Sequence, residues 1–499
     1  MGQQGGQAVH GMAAASEFYF ARDLRELGVP EIALLVGLIQ GPSWHNPRRY
    51  PERARQRRDL ALRHFHETGL ISEAEYRHAL AQPLGVTERP GLARDRHPAF
   101  LDMVRVQLGR GLDRSQLGSE GLVIHTTLSP SAQTAAEAAV EEALPKLRNA
   151  DRLEAAIIVT DPHSGDVLAA VGGRGYSAGG FNRVMQAQRP IGSLVKPFVY
   201  LTALVQPSRW SLATVLDDVP IRVSLPGGRS WKPKNFDGRA HGPTLLVDAL
   251  AKSYNLATVQ LGMAIGVDRV AALLSSLAGG LPVTPNPSLL LGSLDLSPMQ
   301  VAQLYGFIAS GGQGRRLRAL TGVLDARGRV LARVAPAPAS PTSQAAVALV
   351  GYALQEAVRD GTARAIGSTP LAAFMPAGKT GTSNDGRDSW FAGFTGNLLA
   401  VVWVGNDDNA ALDLTGSSAA LPLWIDLMRR LPQAPLSVDA RAALDWQSVA
   451  EDGQPMPSHC GNTRTLPFVP GHAPAMPRWG GCLDNAAGDL LRRIGGTRD

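Results

Sequence analysis

Apolar residues recur every three or four positions through much of the chain, which is the spacing of amphipathic helices. Near the start, two such stretches are separated by Pro42, Pro47 and Pro51. The same pattern returns several times later in the sequence. The predicted helices span residues 31–39, 60–71, 132–147, 194–205, 245–264, 298–309 and 345–358.

Other stretches are short and apolar and are bounded by turn residues, as strands are. They span residues 121–128, 155–160, 166–173, 390–394 and 399–404. A Pro/Gly turn joins the second and third of these into a hairpin, and we expect Trp390 and Phe391 to be core residues. Strands come first, helices lie between and strands return last. We therefore predict an α+β fold with an antiparallel sheet packed by helices.

Composition divides the chain into four segments. Residues 1–84 form a helical domain, and residues 85–128, rich in Arg, Gly and Pro, form a linking region. Residues 129–435 hold the predicted sheet and its helices. Residues 436–499 form a Pro-rich tail that contains Cys460 and Cys482.

Charge and composition narrow the possible functions. An apolar fraction of 44% suits a globular protein, and a net charge of +6 suits an anionic partner, although no nucleic-acid-binding motif is present. The longest apolar runs, 32–39 and 398–404, are shorter than the ~20 residues that cross a bilayer. Residues 1–6 lack the pattern of a signal peptide. The histidines and cysteines show no metal-ligand spacing, so we expect no metal and no other cofactor.

A basic run begins the second predicted helix region. Two interpretations of this run are open. It is either a solvated helix face or a surface that meets phosphates or anionic lipid headgroups. Its members are Arg48, Arg49, Arg53, Arg55, Arg57, Arg58 and Arg63.

One stretch carries a candidate nucleophile and its base. Ser193 and Lys196 stand three residues apart behind a Pro-Ile-Gly turn, and on a helix this spacing puts both side chains on one face. A serine hydroxyl becomes a good nucleophile when a neighbouring group takes its proton, and a neutral lysine amine can do this. The pair alone is a weak signal, because the solvated first turn of a helix can have the same pattern.

Two later motifs make the signal strong. Ser253 and Asn255 form S-x-N inside the helical pattern of residues 245–264, and Lys379 begins a K-T-G motif shortly before the strand at residues 390–394. The motifs S-x-x-K, S-x-N and K-T-G, in this order, are the signature of active-site-serine penicillin-recognising enzymes.

Lysine usage points to the same residues. Only six of the 49 basic residues are lysine, yet two of the six, Lys196 and Lys379, lie inside these motifs. An ammonium group can lose its proton at neutral pH, whereas a guanidinium group cannot. We infer that lysine is chemically required at position 196.

On these motifs the chain resembles the bifunctional class A penicillin-binding proteins, above all their 1B type. The resemblance also rests on residues 181–183 and 291–294 and covers nearly the whole chain to about Arg430. It implies the penicillin-binding transpeptidase fold for residues 129–435. Through residues 33–43 and 69–76, the segment 1–84 resembles the C-terminal part of the all-α, lysozyme-like peptidoglycan glycosyltransferase domain.

The resemblance implies a role for each motif residue. Ser193 would attack the D-Ala-D-Ala bond of a stem peptide, with Lys196 as the favoured base. Ser253 and Lys379 would form a second relay that delivers a proton to the leaving amine. Asn255 would hold Lys196 and the substrate amide.

The K-T-G strand would bind the substrate carboxylate. The resemblance implies that this carboxylate is held by Lys379, Thr380 and Thr382. Gly378 and Gly381 would let the substrate strand approach the backbone closely.

The resemblance also implies partners and a location. The substrates would be peptidoglycan stem peptides ending in D-Ala-D-Ala, and β-lactams would acylate the serine. Further partners would be an outer-membrane activator lipoprotein, division or elongation proteins and a second copy of the chain, at the periplasmic face of the inner membrane.

In the family, the membrane anchor and the catalytic glutamate of glycosyl transfer lie in an N-terminal portion that has no counterpart here. We interpret Met1 as a truncation or a misassigned start and expect no glycan polymerisation. Glu17, Glu26 and Glu31 are interpreted as ordinary helix carboxylates.

Other interpretations stay open. The same three motifs serve D,D-carboxypeptidases and β-lactamases, which pass the acyl group to water, and a penicillin sensor would use acylation as a signal. The fragment could also be inactive. Cys460 and Cys482 are either paired, which suits an oxidising periplasm, or two unrelated thiols.

Overall fold

The computed structural model describes residues 2–4, 7–9, 11–87, 97–111, 122–177, 179–325, 327–334, 344–438 and 443–476. The chain divides into two units, residues 1–96 and 97–499.

An antiparallel sheet lies at the centre of the larger unit. Its strands are β1 (Glu154–Thr160), β2 (Val167–Val171), β3 (Ala377–Thr382), β4 (Asp388–Phe394) and β5 (Leu399–Gly405). Their spatial order is β3-β4-β5-β1-β2, and each neighbouring pair is antiparallel. The predicted α+β fold, with a sheet built from distant parts of the chain, is confirmed.

Both faces of this sheet are buried, which explains why its inner strands β1 and β5 are almost continuously apolar. Along β1, Ala156 and Ile158 face one hydrophobic core, while Ala155, Ile157 and Val159 face the other. Successive side chains of a strand point to opposite faces, so a strand between two helical layers buries the side chains at both odd and even positions.

The helices that cover the sheet largely match the predicted ones. Apolar periodicity predicted the helix at residues 298–309 with its observed bounds. The described α-helices of the larger unit are Pro98–Gly111, Pro130–Ala143, Arg183–Gln186, Lys196–Leu204, Leu246–Ala251, Asn255–Ile265, Val267–Leu277, Pro298–Ala309, Gln344–Arg359 and Ala420–Arg429.

The continuous helix predicted over residues 245–264 is wrong. The chain forms two helices, Leu246–Ala251 and Asn255–Ile265, with a break between them. At the break, Ser253 has a backbone φ of 64°, a left-handed conformation that no helix interior contains. The apolar spacing continues across the break, so periodicity alone could not reveal it.

Residues on either side of the predicted 129–435 segment also contribute to the larger unit. The helix Pro98–Gly111 lies in the predicted linking region, and the predicted strand at residues 121–128 is confirmed as Val123–Thr126. This strand pairs with Leu320–Leu324, which also pairs with Val330–Arg333.

The tail contains a hairpin of Asp445–Ala450 and Thr463–Phe468. Cys460 is disulfide-bonded. Pairing with Cys482 was one of the two alternatives, and Cys482 lies outside the described residues. The remaining described strand pairs of this unit are Val215–Asp218 with Gly242–Leu245, Arg189–Pro190 with Asp295–Leu296, and Val223–Ser224 with Ser230–Trp231.

The smaller unit is helical, apart from the short strand pair Gly2–Gln4 and Gln7–Val9. Its predicted helices at residues 31–39 and 60–71 correspond to two observed ones, the second of which begins earlier, at Pro51. The described helices of this unit are Met12–Phe20, Val29–Leu38, Pro51–Glu67 and Glu73–Ala81.

Several arginines of the basic run stabilise the smaller unit. Arg58 is buried and donates hydrogen bonds to the carbonyls of Leu80 and Gln82. Arg48 donates to carbonyls of Phe18 and Thr87. The run was interpreted either as a solvated helix face or as a surface that meets phosphates or lipid headgroups. Neither interpretation describes these two arginines, because their guanidinium groups bind backbone carbonyls inside the unit.

Within the described residues, no single helix is long and apolar enough to cross a membrane. The helices Asn255–Ile265 and Val267–Leu277, which are bent by 94° at the break between them, reach the required length and composition only when taken together.

Candidate active site

The turn that carries Ser193 is held against β3. Residues Gly192–Val195 form a 3₁₀ turn that leads into the helix Lys196–Leu204. Gly192 has a φ of 53°, and a Cβ atom there would lie 2.4 Å from the carbonyl oxygen of Thr382. Only glycine fits this contact, because both the backbone conformation and the space exclude a side chain.

Two buried aromatic residues hold the turn from behind. The hydroxyl of Tyr305 donates to the carbonyl of Leu194 at 2.9 Å, and the indole Nε1 of Trp390 donates to the carbonyl of Pro190 at 3.0 Å. Trp390 and Phe391 are fully buried, which confirms the prediction that they are core residues.

The side chain of Lys196 is completely buried and makes three polar contacts. Its Nζ lies 2.6 Å from the carbonyl oxygen of Ser253, 2.6 Å from Oδ1 of Asn255 and 3.2 Å from Oγ of Ser253. A neutral amine has two N–H donors and one lone pair. The two short contacts use both donors, so the lone pair remains as an acceptor, with the Ser253 hydroxyl as its neighbour.

The surroundings of Lys196 favour this neutral form. Burial lowers the pKa of Lys196 well below its usual range, and the nearby charge of Lys379 lowers it further. The carboxylate of Asp218 opposes these effects and raises the pKa. Burial dominates because a buried ammonium loses its hydration.

Lys379 lies on the other side of the Ser253 hydroxyl. Its Nζ donates to Oγ of Ser253 at 2.9 Å and to the carbonyl of Thr380 at 3.2 Å. Burial lowers the pKa of Lys379 to about 7. The left-handed conformation of Ser253 therefore places one hydroxyl between two buried amines.

A cavity of about 560 Å³ opens onto this group. It is lined by most of the predicted site residues, while Lys196 and Lys379 lie buried. Within the described part of the chain, no hydrogen bond joins the Ser193 hydroxyl to Lys196. The predicted site residues in the lining are Ser193, Ser253, Asn255, Thr380 and Thr382.

The glycines of the K-T-G strand face the protein itself. A Cβ atom on Gly381 would lie 2.8 Å from the carbonyl oxygen of Ile191, and one on Gly378 would lie 2.6 Å from Cζ of Phe391. These contacts explain why both positions need glycine, and the predicted approach of a substrate strand to their backbone stays a prediction.

The threonines of β3 are also engaged. The hydroxyl of Thr380 donates to Oγ1 of Thr362 at 2.8 Å, and Oγ1 of Thr382 accepts a hydrogen bond from the backbone N–H of Gly416 at 3.0 Å. Accepting that bond leaves the Thr382 hydroxyl proton available to a ligand in the cavity.

Sequence reasoning missed several residues that shape the site. Nδ2 of Asn255 donates to the carbonyl of Lys234 at 2.7 Å, and Asn235 accepts from the backbone N–H of Asn255 at 2.6 Å. Lysines are scarce in this chain, and two of the six, Lys232 and Lys234, flank Pro233 beside Asn235. This cluster of two lysines was the sequence feature that could have indicated a role for the segment in the site. It matched no motif of known chemistry.

The described residues contain no group of three or more His, Cys, Asp or Glu side chains that could hold a metal ion.

Comparison with known proteins identifies the family. Residues 155–429 match the family model of the penicillin binding protein transpeptidase domain, and residues 3–66 match that of transglycosylase. Penicillin-binding protein 1B of Vibrio cholerae serotype O1 is 42% identical over 437 residues, and that of Escherichia coli K12 is 39% identical over 475 residues. The chain belongs to the class A penicillin-binding proteins of the 1B type.

These alignments cover 87% and 94% of this penicillin-binding protein, but only 56% of each relative. The crystal structure of penicillin-binding protein 1A from Haemophilus influenzae shares the fold, with a TM-score of 0.77 at 22% identity, covering 94% of this chain and 90% of that one. PonA1 of Mycobacterium tuberculosis in complex with penicillin V has a TM-score of 0.57 at 27% identity, covering 67% and 93%.

Proposed function

We propose that the protein is a D,D-transpeptidase that crosslinks peptidoglycan stem peptides through an acyl-enzyme on Ser193. The observation that carries this proposal is the Ser253 hydroxyl, which lies 3.2 Å from the amine of Lys196 and 2.9 Å from that of Lys379. Burial lowers the pKa of both amines. A buried amine, a hydroxyl and a second amine beside a reactive serine can accept a proton and return it.

In the first half-reaction, Oγ of Ser193 attacks the carbonyl carbon of the D-Ala-D-Ala bond and its proton passes to Nζ of Lys196. We assign the oxyanion to the backbone N–H groups of Ser193 and Thr382, and such donors are typically worth about 3 kcal/mol each. As the C–N bond breaks, the leaving amine takes a proton through Ser253. D-Alanine departs and the ester remains on Ser193.

In the second half-reaction, an amine of a neighbouring stem peptide attacks the ester carbonyl carbon. The amine proton passes to the lysine relay, the C–O bond breaks and Oγ of Ser193 regains its proton. A β-lactam would follow only the first half, because opening its ring leaves the acyl group on Ser193 with no departing fragment.

A donor and acceptor assay tests this function. The protein would be incubated with a synthetic pentapeptide ending in D-Ala-D-Ala and increasing concentrations of a peptide amine, and both products would be measured by mass spectrometry. We expect D-alanine release together with an amine-linked product whose share rises with the amine concentration. Hydrolysed tetrapeptide alone at every amine concentration would indicate a carboxypeptidase, and no release of D-alanine would contradict the proposal.

The acylation rate is expected to depend on pH in a bell-shaped manner. Lys196 must be neutral to accept the serine proton, so the rate falls as the pH drops through its lowered pKa. Lys379 must be charged to face a carboxylate, so the rate falls as the pH rises above about 7, the pKa of Lys379. The measurement is the second-order rate with a fluorescent penicillin from about pH 5 to about pH 9.

Lys379→Arg provides the control for that profile. A guanidinium group stays charged throughout this range, so the alkaline fall should disappear while the acid side remains. An unchanged alkaline fall in Lys379→Arg would assign it to another group.

The proposed reaction also suggests where in the cell the protein acts. Stem peptides with D-Ala-D-Ala ends are available at the periplasmic face of the inner membrane, which we propose as its location. An activator lipoprotein, division or elongation proteins and a second copy of the chain are the proposed protein partners.

We infer that Glu31 of the smaller unit does not act as an acid or a base in glycosyl transfer. The carboxylate of Glu31 accepts a hydrogen bond from the backbone N–H of Gly28 and forms an ion pair with Arg22. This pattern is that of a helix-capping residue and leaves that carboxylate with a structural role.

A further inference from the structure

A buried carboxylate lies behind the active site, at the end of the strand Val215–Asp218. Asp218 is completely buried. Its Oδ1 accepts from the backbone N–H of Ala257 at 3.0 Å, and its Oδ2 accepts from Nδ2 of Asn235 at 2.5 Å and from the backbone N–H of His241 at 2.9 Å. A buried carboxylate requires such donors to offset its lost hydration.

Asn235 extends this network to the start of the next helix. Its Oδ1 accepts from the backbone N–H groups of Asn255 at 2.6 Å and Leu256 at 3.2 Å. Together with Asp218, it binds the first three N–H groups of the helix Asn255–Ile265. The residue before this helix provides no side-chain cap. Distant residues therefore do the work that a neighbouring Ser, Asp or Asn usually does at a helix start.

The same segment also fixes the Asn255 side chain. Its Nδ2 donates to the carbonyl of Lys234 at 2.7 Å, and its Oδ1 then faces Nζ of Lys196 at 2.6 Å. Because an amide has its donor and acceptor on opposite sides, anchoring Nδ2 directs Oδ1 toward the lysine. The left-handed turn at Ser253 lies immediately before this capped helix.

We propose that Asp218 and Asn235 are positioning residues of the transpeptidase site, which cap the helix beginning at Asn255 and thereby hold the Ser253 turn and the Asn255 amide against Lys196. This inference rests on the proposed function. It gives a role to a buried carboxylate that lies outside all three motifs.

The charge of Asp218 provides a readout that a purely structural role would not give. The negative charge of Asp218 raises the pKa of Lys196, Tyr200 and Tyr254. The positive charge of Lys379, by contrast, lowers the pKa of Lys196. Loss of the negative charge should therefore lower the pKa of Lys196 and extend acylation to lower pH.

Two variants separate positioning from charge. In Asp218→Asn, the charge is lost and an amide NH₂ must face at least one of the three donors, so acylation by a fluorescent penicillin should slow by about 10²-fold, the usual effect of a small misplacement. The acid limb of the pH profile, which is the fall in acylation rate on the low-pH side, should also move to lower pH. In Asn235→Ala, the charge remains but two helix N–H groups lose their acceptor, so acylation should slow with the acid limb unmoved.

Asp217→Asn is the matched control. Asp217 precedes Asp218 on the same strand but is exposed to solvent. The same change of charge there should leave both the rate and the profile at their wild-type values.

The wild type is measured first, because absence of labelling there would count against the proposed function itself. With the wild type labelled, a folded Asp218→Asn variant with a wild-type rate or an unmoved acid limb would overturn the positioning proposal. If thermal melting shows that Asp218→Asn does not fold, Asn235→Ala decides, and a wild-type rate in that variant overturns the proposal.

Discussion

Replacing Lys196 with arginine should slow acylation of the protein by about 10²- to 10⁴-fold, the range typical of general-base catalysis. Arginine keeps the positive charge and the approximate length of lysine, but it cannot become neutral at working pH. In the structure, both short contacts of Nζ are to oxygen acceptors, at 2.6 Å each. A guanidinium group could satisfy those acceptors and still could not take the serine proton.

The measurement is the second-order acylation rate with one fluorescent penicillin, with folding checked by thermal melting. Lys379→Arg serves as the comparison, because its amine is also buried. A charge that faces a carboxylate can be supplied by guanidinium, often through two hydrogen bonds, so this variant should lose less activity. Equal rates in wild type and Lys196→Arg, or a larger loss in Lys379→Arg, would contradict the assignment of Lys196 as the base.

The Ser253 hydroxyl lies between Lys196 and Lys379, and the cost of burying two amines explains this arrangement. Burying a single ammonium is costly, and burying two close together costs more because the like charges repel each other. The site lowers this cost when one amine is neutral, and the Ser253 hydroxyl can donate to the neutral amine while accepting from the charged one. The two protonation equilibria are consequently coupled, and a proton arriving at one lysine favours release from the other.

The chemistry of the site could be predicted from sequence because it restricts residue types. A nucleophilic hydroxyl and an amine able to lose its proton leave few alternatives at Ser193 and Lys196, and the order of the three motifs excludes most chance matches. The central sheet was predictable for a similar reason. Strands buried on both faces are largely apolar, and residues 155–159 of β1 and 399–404 of β5 are uninterrupted apolar runs.

The rest depended on contacts between distant residues. The helical pattern runs through Ser253 because apolar spacing does not register a single left-handed residue, although that residue brings its hydroxyl between the lysines. Asp218 and Asn235 belong to no motif, and their contribution appears only when their loop lies against the start of the Asn255 helix. The contact between Gly381 and the backbone of Ile191, which leaves no room for a side chain, also depends on distant residues.

Replacing Ser193 with alanine should abolish covalent labelling by penicillins, since no other group in the cavity is proposed to form the ester. Ser253→Ala is the matched control, because it removes the other motif serine that lines the same cavity. That variant should still be labelled, but more slowly, since it loses the hydroxyl between the two amines while keeping the nucleophile. Digestion and mass spectrometry of labelled wild type should place the adduct on the peptide containing Ser193.

Comparing Ser193→Ala with Ser253→Ala shows which serine is the nucleophile and which one relays protons. Ser193 lies in the turn before Lys196, and the described structure shows no hydrogen bond between their side chains, so unbound geometry alone does not select it over Ser253, which Lys196 contacts at 3.2 Å. Catalytic hydrogen bonds often tighten only when the substrate is bound. Ser253, however, is held between two amines by its contacts, whereas no described residue forms a hydrogen bond with the Ser193 hydroxyl. Labelling that persists in Ser193→Ala, or an adduct on Ser253, would reverse the two roles.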